Sequence, residues 1–247
     1  MLRTHTRILS WSASYHSSET RLITAMLMKG NFSFALCFVL ALLGSVASEG
    51  ADRKESSDPW IVSARIIRNG SASGSGVYLT SGLVITAAHL TAVDANMSVS
   101  IAGAVLPAKV LKQGSFEDVD LSLLLVDEGE LPASIRPIRI QLCEAPPWPG
   151  DPVIVVDAVS AARSHIISPR VLSFTLRGKF STLIGDVATT GNSGSGVFDP
   201  DRKCLLGIIS GKIQDIAKYF VPASAIRDFM ASAQGGELKW RDLPTGD

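Results

Sequence analysis

Cysteine, charge of one sign and internal repeats are all scarce in this sequence. It has 3 Cys among 247 residues, too few for a disulfide scaffold, and no pair has the spacing of zinc ligands. The 23 basic residues are balanced by 23 acidic ones, which leaves no basic field of the kind that attracts nucleic acid. No long repeat occurs, which argues against propellers and solenoids. The 46% of apolar residues is typical of a globular protein with a sizeable core.

No apolar stretch reaches the roughly 20 residues that a membrane-spanning helix needs, but a shorter one lies near the N-terminus. It follows Lys29 and ends in the small residues of 44–47. A basic residue, an apolar run and a small-residue site are typical of a secretory signal. We therefore predict that residues 1–47 are an N-terminal extension and signal peptide, with the true start at Met26 or Met28. An uncleaved anchor and an organelle transit segment are the alternatives.

The rest of the chain contains two sets of short β-rich segments. The predicted strands of the first set are 60–67, 76–80, 83–86, 97–101, 105–111 and 121–126. Those of the second set are 153–156, 171–176, 180–184, 196–198, 205–210 and 219–221. Turn signals such as Asn69-Gly70 separate them. Only residues 223–233 show helical periodicity. We predict an all-β fold of two antiparallel six-stranded barrels with a short C-terminal helix, although this spacing also permits a sandwich.

A proline-rich segment separates the two sets. Residues 143–150 contain prolines that stop both a helix and a central strand. This pattern predicts a first barrel over residues 48–142, a connector over 143–150, and a second barrel with the helix over 151–235. A polar tail follows over residues 236–247.

The segment Gly191-Asn192-Ser193-Gly194 is a candidate nucleophile loop. A serine hydroxyl is a poor nucleophile until a neighbouring base takes its proton. Flanking glycines let the backbone turn tightly, so that successive N–H groups converge on one point. We expect the N–H groups of Gly191 and Ser193 to form an oxyanion hole.

The base follows by elimination among four histidines. His5 and His16 lie in the segment that we expect to be removed. His165 lies in what we interpret as a polar loop. His89 ends an apolar strand after two small residues, so it is the predicted base.

The order of the residues along the chain then selects the type of serine hydrolase. No histidine follows Ser193, which excludes the order of the α/β-hydrolases, and the only acids before His89 that suit a subtilisin order lie in a polar segment. The order His89, Asp120, Ser193 remains. Asp118 competes with Asp120, but Asp120 adjoins an apolar run and is expected under the imidazole, with Asp118 in solvent. Ser195 is a rival nucleophile.

Several stretches resemble those of trypsin/chymotrypsin-like serine proteases. The stretch 74–89 is similar to their histidine region, 120–124 to their aspartate strand and 191–194 to their nucleophile loop. Residues 206–211 resemble the strand that pairs with the substrate backbone. The spacing looks most like bacterial members, including HtrA-type catalytic domains, here without a PDZ domain. The resemblance implies a chymotrypsin-like fold and an exported serine endopeptidase, periplasmic or extracellular.

The same resemblance implies where substrate binds. The residues at the matching positions are Val187, Ala188, Thr190, Ser210, Gly211 and Lys212. They suggest a small or apolar side chain at the cleaved bond, and Lys212 leaves an acidic preference open. A protein or peptide is the implied partner, with no nucleic acid, and no metal or cofactor is implied.

Two features leave alternatives open. Pancreatic-type enzymes carry Asp before the nucleophile, where this chain has the uncharged Asn192, so we predict no activation by a new N-terminal amine. A catalytically silent trypsin-fold protein that binds peptides or protein partners is the alternative function, and a purely structural β-protein is another. Cys143 and Cys204 remain after signal removal, but nothing in the sequence sets their separation, so a bridge is not predicted.

Overall fold

Twelve short strands close into two barrels within residues 61–177, 180–185 and 191–232, the part of the chain that the computed structural model describes. The first barrel is built from β1 (Ser63–Arg68), β2 (Ser71–Thr80), β3 (Leu83–Thr86), β4 (Met97–Ile101), β5 (Ala104–Gln113) and β6 (Ser122–Leu125). Its antiparallel order is β1-β2-β3-β6-β5-β4, and pairing of β1 with β4 closes it. The predicted signal peptide and the polar tail lie outside the described residues.

Three two-residue turns set the register of the first barrel. At 69–70, 81–82 and 102–103 both residues have positive φ. This is the conformation of a type I′ turn, whose twist matches that of the paired strands. Asn and Gly accept it readily, which explains why Asn69-Gly70 could be predicted as a hairpin from the sequence.

The second barrel repeats the architecture. Its strands are β7 (Pro152–Val156), β8 (Ala161–Ile167), β9 (Leu183–Ile184), β10 (Gly196–Phe198), β11 (Leu205–Ile213) and β12 (Ala217–Pro222). They run in the order β10-β11-β12-β9-β8-β7, and β10 pairs with β7 to close the sheet. The predicted all-β fold of two six-stranded antiparallel barrels is therefore confirmed, and the sandwich is excluded.

One predicted strand of the second barrel is wrong. Residues 171–176 lie in a 3₁₀ turn, Pro169–Val171, and in the short helix α1, Phe174–Arg177. The Ser168 side chain accepts a hydrogen bond from the Arg170 amide, and Pro169 begins the turn. A serine cap followed by proline favours helical backbone over strand.

The strand missing from the prediction is β8, which contains His165. Its outward positions carry the polar Arg163 and His165, while Ser164 and Ile166 are buried. With only one large apolar residue on its buried face, the segment resembles a loop in sequence. The interpretation of His165 as a loop residue was therefore wrong.

The core continues from the first barrel to the C-terminal helix. Ile66, Val84 and Leu124 of the first barrel are fully buried. Helix α2, Ala223–Ala231, starts where predicted and adds Ile226 and Phe229 to the same cluster. Among the described residues, no helix is long and apolar enough to cross a membrane.

A disulfide joins the segment 143–150 to the second barrel. Cys143 is bonded to Cys204, and both side chains are buried. The Cys143 amide donates to the Leu205 carbonyl at 3.0 Å, so backbone pairing brings the two cysteines together. The bridge was not predicted because its partners are 61 residues apart and meet only through this tertiary pairing.

Candidate active site

His89 lies on a 3₁₀ turn, Ala88–Leu90, that directly follows β3. Ala87 and Ala88 are buried, and small side chains allow the turn to pack closely against the barrel. The Gln113 side chain donates to the carbonyls of Ala88 and Thr91 at 3.2 and 3.0 Å. Hydrogen bonds on both sides of His89 therefore hold the backbone from which the imidazole projects.

Asp120 contacts His89 through both carboxylate oxygens. The Nδ1 atom of His89 lies 2.8 Å from Oδ2, and the His89 amide donates to Oδ1 at 3.1 Å. The Ser210 hydroxyl also donates to Oδ2. Asp118 is exposed at the loop surface instead. The bond to Nδ1 orients the imidazole, the bond from the amide holds the backbone of His89 to the same carboxylate, and Nε2 is left as the nitrogen available for chemistry.

The environment of Asp120 favours its ionised form. Burial by itself raises the pKa of this carboxyl group. Hydrogen bonds from the His89 side chain, the Ser210 hydroxyl and the His89 amide outweigh burial, so the pKa of Asp120 lies below its ordinary value. The carboxylate is thus suited to favour an imidazolium beside it.

Ser193 lies on a tight loop that is held between the two barrels. Its carbonyl accepts a hydrogen bond from the Ser75 amide at 3.0 Å, and the next amide, of Gly194, donates to the Ile209 carbonyl at 2.7 Å. Gly194 has a φ of +83°, and a Cβ there would lie 1.8 Å from the Ser75 carbonyl oxygen. Only glycine fits such a position, which explains the glycine after Ser193.

Ser193 and His89 line the same cavity. This cavity has a volume of about 570 Å³ and is also lined by Gly74 and Asn192. In this structure the Ser193 hydroxyl donates to the Ser210 carbonyl at 3.1 Å. Ser210 therefore contacts two members of the predicted triad, Asp120 through its hydroxyl and Ser193 through its carbonyl.

The rival nucleophile, Ser195, is closed off from this cavity. Its exposed fraction is 0%, and its hydroxyl has no hydrogen-bond partner in the described part of the chain. A Cβ at Gly191 would lie 2.7 Å from that hydroxyl. The side chain therefore packs behind the loop, on the side away from solvent.

The remaining predicted site residues divide into two groups. Val187, Ala188 and Thr190 lie outside the described residues. Ser210, Gly211 and Lys212 follow one another on β11, and Gly211 packs against the Tyr219 phenol, which a Cβ would approach to 3.0 Å. Lys212 is exposed and lies 3.6 Å from Asp215. His165, on β8, packs against Gly185.

Two residues near the site were not predicted. The ring of Phe116 meets that of His89 edge to face, with centroids 5.8 Å apart. Phe116 is half-exposed, and an aromatic residue in a polar loop just before Asp120 is a signal that could have found it. The ammonium of Lys218 donates to the Gly191 carbonyl. No local pattern marks Lys218, because this contact depends on how β12 packs.

Comparison with known families shows to which family the chain belongs. The family model for the trypsin-like peptidase domain matches residues 74–208. The chain belongs to the trypsin-like peptidase family. The matched range contains His89, Asp120 and Ser193, and it covers more than half of the sequence. The predicted resemblance to trypsin-like proteases is therefore confirmed, and the chain is a serine protease of this family.

Solved structures share the chymotrypsin-like fold at low sequence identity. The Rv3671c protease of M. tuberculosis in its active form is 17% identical, with a TM-score of 0.54 over 73% of this chain and 84% of that one. Kallikrein-related peptidase 10 is 18% identical, with a TM-score of 0.57 over 73% and 97%. The serine endoprotease of Yersinia pestis is 20% identical, with a TM-score of 0.54 over 71% and 63%. Among curated protein sequences, none matches this chain.

Proposed function

We propose that this trypsin-like peptidase is an exported endopeptidase that cleaves peptide bonds through an acyl-enzyme on Ser193. The single observation that supports this most strongly is the buried Asp120 bonded to His89, with His89 and Ser193 lining one cavity. In the structure the Ser193 hydroxyl donates to the Ser210 carbonyl, so the serine side chain must leave that partner before the base can take its proton. Loose contacts of this kind are common before substrate binds.

In the first half-reaction the Ser193 Oγ attacks the carbonyl carbon of the scissile bond. Its proton passes to Nε2 of His89, and Asp120 stabilises the imidazolium that forms. The C–N bond then breaks, and the imidazolium gives the proton to the leaving amine. The products of this step are a free amine and an ester between the acyl group and Ser193.

Water completes the cycle. His89 takes one proton from a water molecule while the oxygen of that water attacks the ester carbonyl. The bond to the Ser193 Oγ breaks, and the proton returns to that oxygen, which releases a carboxylic acid and restores the enzyme. In both steps the N–H groups of Gly191 and Ser193 would stabilise the negative charge on the former carbonyl oxygen.

The bound peptide is proposed to lie along β11, beside Ser210, Gly211 and Lys212. Main-chain groups at a strand edge can pair with an extended peptide whatever its sequence. The segment 187–190 would then contact the side chain before the cleaved bond. The Cys143–Cys204 disulfide supports the export part of the proposal, because such bonds persist in oxidising compartments.

Labelling with a fluorophosphonate tests the nucleophile. Attack by an activated serine displaces fluoride and leaves a stable phosphonate ester on that serine. We expect the label on the peptide that contains Ser193, and loss of labelling in Ser193→Ala. Ser195→Ala is the matched control, and it should keep the label because Ser195 is buried away from the cavity.

Turnover is measured in the same preparations with fluorescein-labelled casein. Loss of the nucleophile is expected to lower turnover on the order of 10⁴- to 10⁶-fold. A wild-type chain that neither takes the label nor cleaves casein would contradict the proposal. That result would favour the alternative, a trypsin-fold protein that binds peptides without cleaving them.

A further inference from the structure

Lys218 brings a positive charge to the backbone of the nucleophile loop. It lies on β12, where it is paired with Lys212 of β11 on one side and with Ile184 of β9 on the other. Its ammonium donates a hydrogen bond to the Gly191 carbonyl. Gly191 is the first residue of the segment that leads to Ser193.

This contact differs from an ordinary surface interaction, because the charged side chain that makes it is partly buried. Lys218 is half-buried, and burial lowers the pKa of its ammonium. The nearby charge of Lys212 lowers the pKa further, while Asp157 opposes the shift. A lysine is ordinarily exposed, so a half-buried one next to another lysine lowers stability unless its contact compensates.

The carbonyl that Lys218 holds belongs to a flexible point of the loop. Gly191 has a φ of +41°, and glycine can exchange this conformation for others at little cost. Fixing the direction of its carbonyl fixes the plane of the peptide between Gly191 and Asn192. Asn192 has no charge with which to hold the loop through an ion pair.

The other end of the same short segment is also held. The Ser193 carbonyl accepts the Ser75 amide at 3.0 Å. The carbonyls of Gly191 and Ser193 are thus both engaged by groups outside the loop. These contacts fix the peptide between Gly191 and Asn192 and the peptide between Ser193 and Gly194, so the peptide that carries the Ser193 N–H lies between two fixed planes. An oxyanion hole depends on donors that are oriented before the reaction starts.

We propose that Lys218 is a positioning residue for the oxyanion hole: by holding the Gly191 carbonyl, it fixes the peptide plane between Gly191 and Asn192. The peptides that carry the N–H groups of Gly191 and Ser193 lie on either side of this plane, so fixing it limits rotation of both N–H groups away from the substrate oxygen. This rests on the proposed function. Lys218 acts through the backbone and does not itself touch the reacting atoms. Asn192 has no charge with which to hold the loop through an ion pair, and Lys218 holds the loop through the Gly191 carbonyl instead.

The test compares Lys218→Met, Lys218→Arg and the wild-type full chain. A peptide that the wild type cleaves is first selected from a fluorescence-quenched peptide library, and a peptidyl boronic acid of the same sequence mimics the tetrahedral state. For Lys218→Met we expect kcat to fall about 10- to 100-fold, somewhat less than when an oxyanion donor is lost outright. KM should change less than about 3-fold, because ground-state binding does not use the hole.

Two further readouts separate positioning from a merely structural role. The inhibition constant of the boronic acid should rise by the same factor as kcat falls, because both report the tetrahedral state. Lys218→Arg, which keeps a charged donor, should recover most of the lost kcat. The unfolding temperature of Lys218→Met should stay within about 3 °C of the wild type, since loss of the hydrogen bond to Gly191 is offset by relief of a half-buried charge.

Lys109→Met is the matched control, because Lys109 is an exposed lysine on β5 in the other barrel. It should leave kcat, KM and boronate affinity unchanged. An unchanged kcat in Lys218→Met overturns the proposal. So does a higher KM at constant kcat, or a changed preference at the cleaved bond, which would instead make Lys218 a specificity residue.

If Lys218→Met fails to fold, Lys218→Ala also removes the donor, and a kcat equal to the wild type in that variant would then overturn the proposal. Failure of the proposed function gives a different result from failure of this inference. In the first case the wild type itself takes no fluorophosphonate label. In the second the wild type is labelled and active, and Lys218→Met matches it.

Discussion

At the scale of single residues, the site depends on a few positions where only one residue type fits. Gly194 is the clearest, because its φ of +83° and its contact with Ser75 exclude any side chain. Asp120 is the second, because its carboxylate accepts hydrogen bonds from both His89 and Ser210. Each requirement leads to a prediction.

Gly194→Ala is expected to abolish peptidase activity and to destabilise the fold. The new Cβ would lie 1.8 Å from the Ser75 carbonyl oxygen, so the loop that carries Ser193 must move. Gly70→Ala is the matched control, since Gly70 has a φ of +79° with nothing within 4 Å of a Cβ. It should cost only about 1–2 kcal/mol and leave kcat unchanged. Equal effects of both variants in denaturant unfolding and casein cleavage would contradict this prediction.

Acid is expected to destabilise the protein in part through Asp120. Its pKa is lower in the folded chain than in the unfolded one, so it contributes stability that is fully present above the unfolded value of about 3.9. That contribution is lost as the pH falls through the lower folded value. Asp120→Asn should therefore flatten the acid side of a plot of unfolding free energy against pH.

The flattening should be partial, because Asp199 also has a lowered pKa. Burial raises the pKa of Asp199, but the Arg202 amide and guanidinium outweigh it. Asp199→Asn, in the turn where Asp199 binds Arg202, should flatten the same acid limb without loss of activity. An acid limb that is identical in wild type and Asp120→Asn would show that the pKa of Asp120 is not lowered by folding.

At the scale of elements, the strands act as rigid supports and the short turns between them carry the chemistry. The 3₁₀ turn Ala88–Leu90 presents His89, and the loop between β9 and β10 carries Ser193. Ala87 at the start of the turn makes no side-chain cap bond, and the Thr91 hydroxyl at its end donates to the Ala88 carbonyl at 3.0 Å. Gln113 at the end of β5 adds two further hydrogen bonds, to the carbonyls of Ala88 and Thr91. The orientation of His89 therefore depends on a residue from another strand.

Gln113→Ala is expected to lower kcat several-fold while changing KM little. Loss of two hydrogen bonds to the turn should cost about 1–3 kcal/mol of stability. It also loosens the backbone of His89, whose exact position matters more for turnover than for substrate binding. Steady-state kinetics with urea unfolding tests this. A raised KM at unchanged kcat would mean that Gln113 affects substrate binding instead.

The elements also show how far the sequence could predict this structure. Strands with alternating or continuous apolar residues, and the hairpin at Asn69-Gly70, could be predicted because their signals are local. Strand β8 could not, because its outer face is polar and its buried face small. The strand predicted over 171–176 failed because the serine cap and proline before it were stronger signals than its apolar residues.

Part of the site could be predicted from the sequence, and part depends on contacts between distant residues. His89, Asp120 and Ser193 follow a known order, and the structure brings His89 and Asp120 into contact. The hydrogen bonds of Ser210 and Lys218 join residues far apart in the sequence, so no spacing rule could have found them. The same is true of the pairing of Cys143 with Cys204.

At the scale of the whole molecule, the two barrels share a core, and a disulfide ties the connector between them to the second barrel. The guanidinium of Arg227 on α2 donates to the Cys143 carbonyl at 3.0 Å, so helix, connector and second barrel meet at this bridge. Ser193 is held by groups from both barrels, Ser75 on β2 and Ile209 on β11, through the loop it lies in. Activity therefore depends on the two barrels keeping their relative position around this loop.

Removal of the disulfide is expected to lower stability without removing activity. The bridge closes a loop across a separation of 61 residues, for which chain entropy suggests about 4 kcal/mol. The Cys143→Ala, Cys204→Ala double variant should unfold roughly 10 °C lower than the wild type. Reductant should lower the unfolding temperature of the wild type and leave the variant unchanged. A variant as stable as the wild type would contradict the contribution assigned to the bridge.

The most direct test of the account is to trap the acyl-enzyme itself. The wild-type chain is mixed with p-nitrophenyl acetate, quenched in acid and digested, and its peptides are weighed by mass spectrometry. We expect one acetyl group on the peptide that contains Ser193, and none in Ser193→Ala or His89→Ala. An acetyl group on another residue, or equal acetylation of Ser193 in His89→Ala, would contradict it.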